Sequence, residues 1–279
     1  MSFYETIPFS YEQFVWGKII QEGKDISGYK IVAQSSGLSE RDCAEVLSKT
    51  GAGVSQAILS GQRAFALFNF LTGRVVFSCT QHSRKPENSS RFYLQTHFLI
   101  CEWEALERIY FDFVFLAEQI GEIPTFEEEK TSQMVETLYE REKAIESDLL
   151  RIIERYPENF IINSYRAFKG ENPVATFDSS KDETKILEYF QLLISLTPPW
   201  ERQQLTFASM TSGAEPSRYK FKINPTGILK LPHIVIRLDD AKVVPESLVS
   251  VIPTYGRSQF RENLNELRHK RVAMGISLS

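Results

Sequence analysis

The sequence has few cysteines, no long apolar run and no recognisable export signal. Cysteine occurs at three of 279 positions, Cys43, Cys79 and Cys101, and no two of them form a C-x-x-C pair. An odd number of separated cysteines is typical of free, buried thiols in a reducing compartment. No apolar run approaches the ~18 residues that cross a bilayer, and the first residues lack the basic and apolar regions of a signal peptide. These absences predict a cytoplasmic protein that is not inserted in a membrane.

Motifs that carry known chemistry are also absent. Neither the phosphate-binding loop G-x-x-x-x-G-K-[ST] nor the nucleophile motif G-x-S-x-G occurs. Residues Gly51–Ser55 match a dinucleotide-binding loop only in their first two glycines, so we interpret them as a turn. The four histidines are not spaced as metal ligands: His82, His97, His233 and His269. The sequence therefore predicts no cofactor, no metal and no catalytic residue, and it favours a protein without enzymatic activity.

Acidic residues are concentrated in one part of the chain, although the net charge is only −4. Residues 101–155 carry fifteen Asp or Glu against six Lys or Arg, and their densest acidic run is Glu127–Glu129. An exposed surface of this kind favours basic protein partners and repels the phosphates of nucleic acid. We therefore predict Glu127, Glu128 and Glu129 as binding residues, with a contribution to solubility as the alternative.

The C-terminal segment 257–271 is basic instead, with five Lys or Arg against two Glu. Basic residues in the last turn of a helix complement the helix dipole, which is the simplest explanation. The alternatives are a contact for an acidic partner and, below it in rank, a module associated with nucleic acid.

Strand patterns occur at both ends of the chain and helical patterns in the middle. The order of strands, helices and strands again, without strict alternation, predicts an α+β fold built mainly on antiparallel sheet, with a helical middle section and a C-terminal helix. Two hairpins are predicted near the N-terminus, and the clearest strand follows them at Arg91–Cys101. Its alternation places Phe92, Leu94, Phe98 and Ile100 in the core.

Helix signals follow this strand. Thr125-x-x-Glu128 has the pattern of a capping box and predicts a long helix from Phe126 to Tyr156, in one piece or two. Ser180-x-x-Glu183 predicts a second helix that ends before Pro198, and a last helix is predicted from Ser258. We expect a single compact domain over residues 1–279, with a possible subdivision near residue 125 or 178.

The polar face of the Arg91–Cys101 strand contains two candidate binding residues, Arg91 and His97. At ~3.3 Å per residue they lie about 20 Å apart, too far to contact one small ligand group together. His97 with Tyr93 or Gln95 could form part of a polar site. The alternative is a histidine on a half-buried sheet face that is hydrogen-bonded to a helix above it.

Four stretches resemble the N-terminal domain of bacterial GTPase-associated adaptor proteins. Tyr11–Gly17 is similar to that family's "YEQ…YG" strand, Gly28–Leu38 to "GYQ(V/I)(V/L)A.SPGL", Arg91–Ile100 to "R…YFAH.L(V/I)" and Leu196–Ser209 to "LPP..R..LTFST". The chain departs from the pattern at Ser36, where the family has proline, and at 88–90, where it has a glycine-rich entry.

The resemblance implies a component of a bacterial defence or conflict system with a GTPase or other NTPase as its partner. His97 and Arg202 match recurrent polar positions of the family, so Arg202 joins the predicted binding residues. The leading hypothesis is a non-enzymatic adaptor that binds protein partners. The alternative is a hydrolase or nuclease whose active site is assembled around His97 from dispersed residues.

Overall fold

The computed structural model describes residues 4–50, 62–71, 73–86, 92–142, 145–170, 174–177, 182–209, 219–223, 234–244 and 257–273. The strands in these ranges are β1 (Tyr4–Gly17), β2 (Ile20–Gln21), β3 (Lys24–Asp25), β4 (Lys30–Ser35), β5 (Arg63–Phe70), β6 (Arg74–His82), β7 (Leu94–Glu102), β8 (Lys130–Ser132), β9 (Val135–Glu142), β10 (Val174–Phe177), β11 (Phe207–Ser209), β12 (Phe221–Ile223), β13 (Ile234–Arg237) and β14 (Lys242–Val244). The helices are α1 (Glu40–Thr50), α2 (Trp103–Arg108), α3 (Phe113–Ile120), α4 (Ile145–Glu154), α5 (Glu158–Lys169), α6 (Glu183–Leu196), α7 (Pro199–Arg202) and α8 (Arg257–Ala273).

One large sheet connects most of these strands, in the order β14-β13-β10-β12-β11-β5-β6-β7-β1-β4-β8. Most neighbours are antiparallel, which confirms the predicted α+β class. Strands β10 to β13 are parallel to one another, and α6 and α7 lie between β10 and β11 in the chain. Strand β4 pairs with β8 across residue 125, and β10 pairs with β12 across residue 178. The expected single domain stays a prediction.

The strand that the sequence marks most clearly is central, as predicted. Strand β7 pairs with β6 on one side and with β1 on the other. Phe98 and Ile100 are each 1% exposed, and Leu94 is half-buried. Phe92 precedes the strand and is 41% exposed, so the prediction that it lies in the core was wrong. The alternation does not reach Phe92 because the strand begins only at Leu94.

The two faces of the sheet are covered unequally. One face, which includes Phe77 and Leu99, joins the larger hydrophobic cluster together with residues of helices α2 to α6 and α8. The other face, which includes Phe98, packs against Cys43 and Val46 of α1. Ser39 caps α1 as its position before the helix suggests, since its hydroxyl accepts a hydrogen bond from Asp42 N at 3.2 Å.

The long helix predicted from Phe126 to Tyr156 was wrong. The Phe126 carbonyl accepts a hydrogen bond from Ile20 N at 2.8 Å, and β8, β9 and the short helix α4 occupy the rest of the segment. Pairing of β8 with β4 and of β9 with β1 satisfies the backbone, and these tertiary contacts override the local helix signal. Thr125 and Glu128 therefore form no capping box.

The other two predicted helices are present with adjusted starts. Asp182, rather than Ser180, caps α6, and its carboxylate accepts from Lys185 N at 3.2 Å. Ser180 lies outside the described residues. Helix α6 ends at Leu196, before Pro198, as expected, and α8 begins at Arg257. None of the described helices is long and apolar enough to cross a membrane.

Candidate functional site

The predicted binding residues lie in different parts of the fold. His97 belongs to the central strand β7, Arg202 ends the short helix α7, and Glu127–Glu129 precede the strand β8. Arg91 and the turn Gly51–Ser55 lie outside the described residues. Each position therefore has to be assessed from its own contacts.

His97 is held by a neighbouring strand rather than by a helix. Its Nε2 lies 2.8 Å from Gln13 Oε1 of β1, and Cys79 of β6 is its cross-strand neighbour. Burial lowers the pKa of His97 to about 4 and raises the pKa of the Cys79 thiol to about 12. At neutral pH both side chains are uncharged, so this pair offers neither a thiolate nor a cationic imidazole.

The lowered pKa of His97 predicts a pH-dependent stability. The unfolded chain binds a proton near pH 6.5 and the folded protein only near pH 4, so the free energy of unfolding should fall as the pH decreases between these values. At ~1.4 kcal/mol per pKa unit, about 2–3 kcal/mol should be lost. Urea unfolding at several pH values should show this loss, and the variant His97→Gln should lack it.

His269 provides the control for this measurement. It is exposed on α8, and His269→Gln removes an imidazole without disturbing the sheet. If His97→Gln keeps the parent's full pH dependence while His269→Gln changes it, His97 is not its source.

Arg202 organises the helical layer through all three guanidinium nitrogens. Nε donates to Thr197 O at 2.9 Å, Nη1 to Glu107 Oε1 at 3.1 Å and Nη2 to Ser195 O at 3.4 Å. The guanidinium also lies 5.3 Å from the ring centroid of Phe111. These bonds join the end of α6 to α2, so Arg202 shapes its surroundings more than it offers a free charge to a partner.

A groove, here called the Trp200 groove, opens beside Arg202 between α4, α6, α7 and α8. Its volume is about 470 Å³, and its lining includes Leu149, Trp200, Asn263 and Leu267 together with Arg202. Trp200 is 66% exposed, the largest exposed fraction among the large apolar side chains in the described residues. Trp200 was not among the predicted binding residues. Its position directly after Pro198-Pro199, at the start of the short helix α7, is the signal that could have identified it.

The short helix α7 is anchored through Glu201, the neighbour of Trp200, whose side chain lies inside the protein. Glu201 is 4% exposed, and its carboxylate accepts from Tyr165 Oη at 2.6 Å and from Lys169 Nζ at 2.7 Å. Tyr165 in turn stacks on Phe260 of α8, with ring centroids 4.1 Å apart. Glu201 therefore connects α7 to α5, and the Tyr165 ring connects α5 to α8 on the opposite side of the groove.

A second concave site lies where β5 begins and β6 ends. This cavity has a volume of about 550 Å³, and Arg63, Gln81, His82 and Glu183 are among its lining residues. The Glu183 carboxylate accepts from Arg63 Nε and from Arg63 N, each at 2.9 Å, so the two charges neutralise each other. The described residues contain no cluster of His, Cys, Asp or Glu suited to a metal ion.

The acidic run Glu127–Glu129 lies on the surface beside the sheet edge, not on a helix. All three side chains are exposed. Lys30 Nζ donates to the Glu129 carboxylate, and Gln21 Nε2 donates to Glu127 O at 3.0 Å. Their exposure is compatible with the predicted role in binding, which stays a prediction.

Comparison with known proteins leaves the interpretation to this geometry. A scan against protein-family models gives no match, and no curated protein matches the chain either. The Trp200 groove and the acidic run Glu127–Glu129 therefore have only their own contacts as evidence of function.

Proposed function

We propose that this protein is a non-enzymatic adaptor that binds a protein partner in the Trp200 groove. The observation that carries the proposal is the exposure of Trp200 on a helix that is fixed by the buried Glu201. A large aromatic side chain that is exposed on a rigid frame loses little entropy on binding and gains much apolar contact. Tryptophan is for this reason enriched among the residues that dominate binding energy at interfaces.

The lining of the groove favours a peptide segment with an apolar anchor as its occupant. The lining combines three leucines that are each less than 10% exposed, Leu149, Leu196 and Leu267, with the amides of Gln259 and Asn263, which are hydrogen-bonded to each other at 3.0 Å. Protein interfaces likewise combine apolar and polar side chains. The family that the sequence resembles directs the search for this partner toward a GTPase or another NTPase.

The alternative of a hydrolase or nuclease around His97 has less support. Its nearest thiol, Cys79, has a pKa raised to about 12, and His97 stays neutral at physiological pH. Two carboxylates near the concave sites form ion pairs with basic side chains. Glu183 pairs with Arg63, and Glu201 pairs with Lys169. Cys79 and His97 are cross-strand neighbours, but at neutral pH both are uncharged and therefore supply neither a thiolate nor an imidazolium.

A site-specific photo-crosslinker tests the proposal in the cell that produces the protein. Placed at Trp200, it should capture one protein that mass spectrometry identifies as an NTPase. The control places the crosslinker at Leu71, which is 50% exposed in the turn after β5 and does not line the groove. Equal capture at both positions, or capture of no NTPase at Trp200, would overturn the proposal.

With the captured partner purified, Trp200→Ala should weaken binding at least 30-fold. This corresponds to the loss of about 2 kcal/mol that marks a dominant interface residue. Thermal stability should hardly change, because an exposed side chain contributes little to folding. Isothermal titration calorimetry and a melting curve on the same sample separate the two effects.

A further inference from the structure

The strand β9 forms a free edge of the sheet within the described part of the chain. Its eight residues pair in full register with Tyr4–Tyr11 of β1, and no described strand pairs with its other side. Such an edge presents a row of backbone N–H and C=O groups that can add a further strand.

The side chains of β9 are divided between a buried and an exposed face. Tyr139 is 2% exposed, donates from Oη to Asp112 Oδ2 at 2.9 Å and packs edge-on against Phe115. Glu136 is exposed and Leu138 is 57% exposed on the opposite face. The strand is thus held in place through one face while the exposed face and the edge remain available to a partner.

Charge determines which partner suits this edge. Residues 127–142 carry six Glu against one Lys and one Arg. A second copy of the chain would place like charges opposite one another, which opposes self-pairing. An extended segment with lysine or arginine on alternate residues would instead face Glu136 across the new pair of strands.

We propose that β9 binds an extended basic peptide segment of a protein partner by strand addition. Backbone hydrogen bonds would provide the binding, Leu138 an apolar contact, and the glutamates the preference for basic sequences. This surface differs from the Trp200 groove, and the inference does not rest on the proposed function. An adaptor with both surfaces would join two partners.

The competing explanation is that the acidic side chains only protect the edge against aggregation. Synthetic peptides of eight residues, the length of β9, distinguish the two. A fluorescent peptide that alternates lysine with threonine and valine should bind at least tenfold more tightly than the same peptide with glutamate in place of lysine, as measured by anisotropy. Two further versions carry N-methyl groups on alternate sets of backbone amides.

Strand addition requires that at least one methylated version lose tenfold or more in affinity, because a methylated amide cannot donate to the edge. Equal binding of both methylated versions and the parent would show simple ionic attraction and overturn the proposal, as would no binding of the lysine peptide. Hydrogen exchange should also slow in residues 135–142 when the peptide is bound.

Variants of the protein complete the test. Glu136→Lys should weaken binding of the lysine peptide at least tenfold, whereas Glu262→Lys, which makes the same charge change on the exposed surface of α8, should have a small effect. Trp200→Ala should leave this affinity unchanged, so failure here is distinguishable from failure of the groove. If Glu136→Lys and Glu262→Lys weaken peptide binding equally, the affinity depends on the overall charge of the protein and not on β9, which contradicts strand addition.

Discussion

Replacing Phe98 by alanine is expected to lower the free energy of unfolding by about 3–5 kcal/mol, the range for truncating a buried phenylalanine. Phe98 is 1% exposed at the centre of the sheet. Its ring stacks on Phe14 of the neighbouring strand β1, with centroids 4.3 Å apart and an interplanar angle of 13°. The substitution removes this contact and leaves a cavity between the sheet and α1. Urea unfolding, followed by circular dichroism, gives the value.

Phe92 offers a matched control on the same segment of the chain. It is 41% exposed and makes an edge contact with His82. Phe92→Ala should therefore cost less than about 1 kcal/mol, as is usual for exposed sites. Similar losses for the two variants would mean that Phe98 is not in the core as described.

Glu201→Ala is expected to destabilise the protein by about 3–5 kcal/mol, because it breaks a buried ion pair and leaves one charge without compensation. The remaining cation would be Lys169, whose side chain is 18% exposed. The Tyr165 hydroxyl, whose pKa is raised by burial and by the neighbouring Glu201, would lose its acceptor at the same time. Chemical unfolding again measures the loss.

The exposed pair of Glu45 and Lys49 is the control for this prediction. Both side chains are 38% exposed and lie one turn apart on α1. Glu45→Ala should change stability by less than about 1 kcal/mol, since exposed ion pairs contribute little. The double variant Glu201→Gln with Lys169→Met should recover part of the loss, because it removes both charges together. If Glu201→Ala lowers the free energy of unfolding no more than Glu45→Ala does, the buried ion pair of Glu201 does not stabilise the protein as expected.

The contact of Glu201 with Tyr165 and Lys169 also connects the stability of the protein with the proposed function. If Glu201 fixes α7, its loss should weaken partner binding in the Trp200 groove even though Trp200 itself is intact. Binding that survives Glu201→Ala in a folded sample would mean that the position of α7 does not matter for the partner.

Local sequence patterns predicted those parts of the structure whose conformation depends on nearby residues. The alternation around Phe98 and Ile100 identified the central strand, and Gly73, with a φ of 81°, ends the turn between β5 and β6 as its position suggests. Pro198 marked the end of α6 correctly. Each of these signals acts within a few residues, through side-chain burial, backbone conformation or a missing N–H group.

The sequence failed where distant pairing outweighed local preference. Residues 126–142 carry a helix signal, yet β1 and β4 offer them strand partners more than ninety positions away, as between Ala33 and Lys130. The parallel order of β10 to β13 was likewise not predicted, because it depends on pairing between separated residues such as Val174 and Phe221.

By itself, the sequence determined the α+β class, the central antiparallel strands and the concentration of acidic residues, since composition and short-range periodicity carry this information. Only the tertiary structure decided the candidate sites. The Trp200 groove requires the contact of Glu201 with Tyr165 and Lys169, which are more than thirty residues away, and the free edge of β9 requires its pairing with the N-terminal strand. Both depend on contacts between residues far apart in the chain, and such contacts leave no local pattern because either partner alone is compatible with many folds.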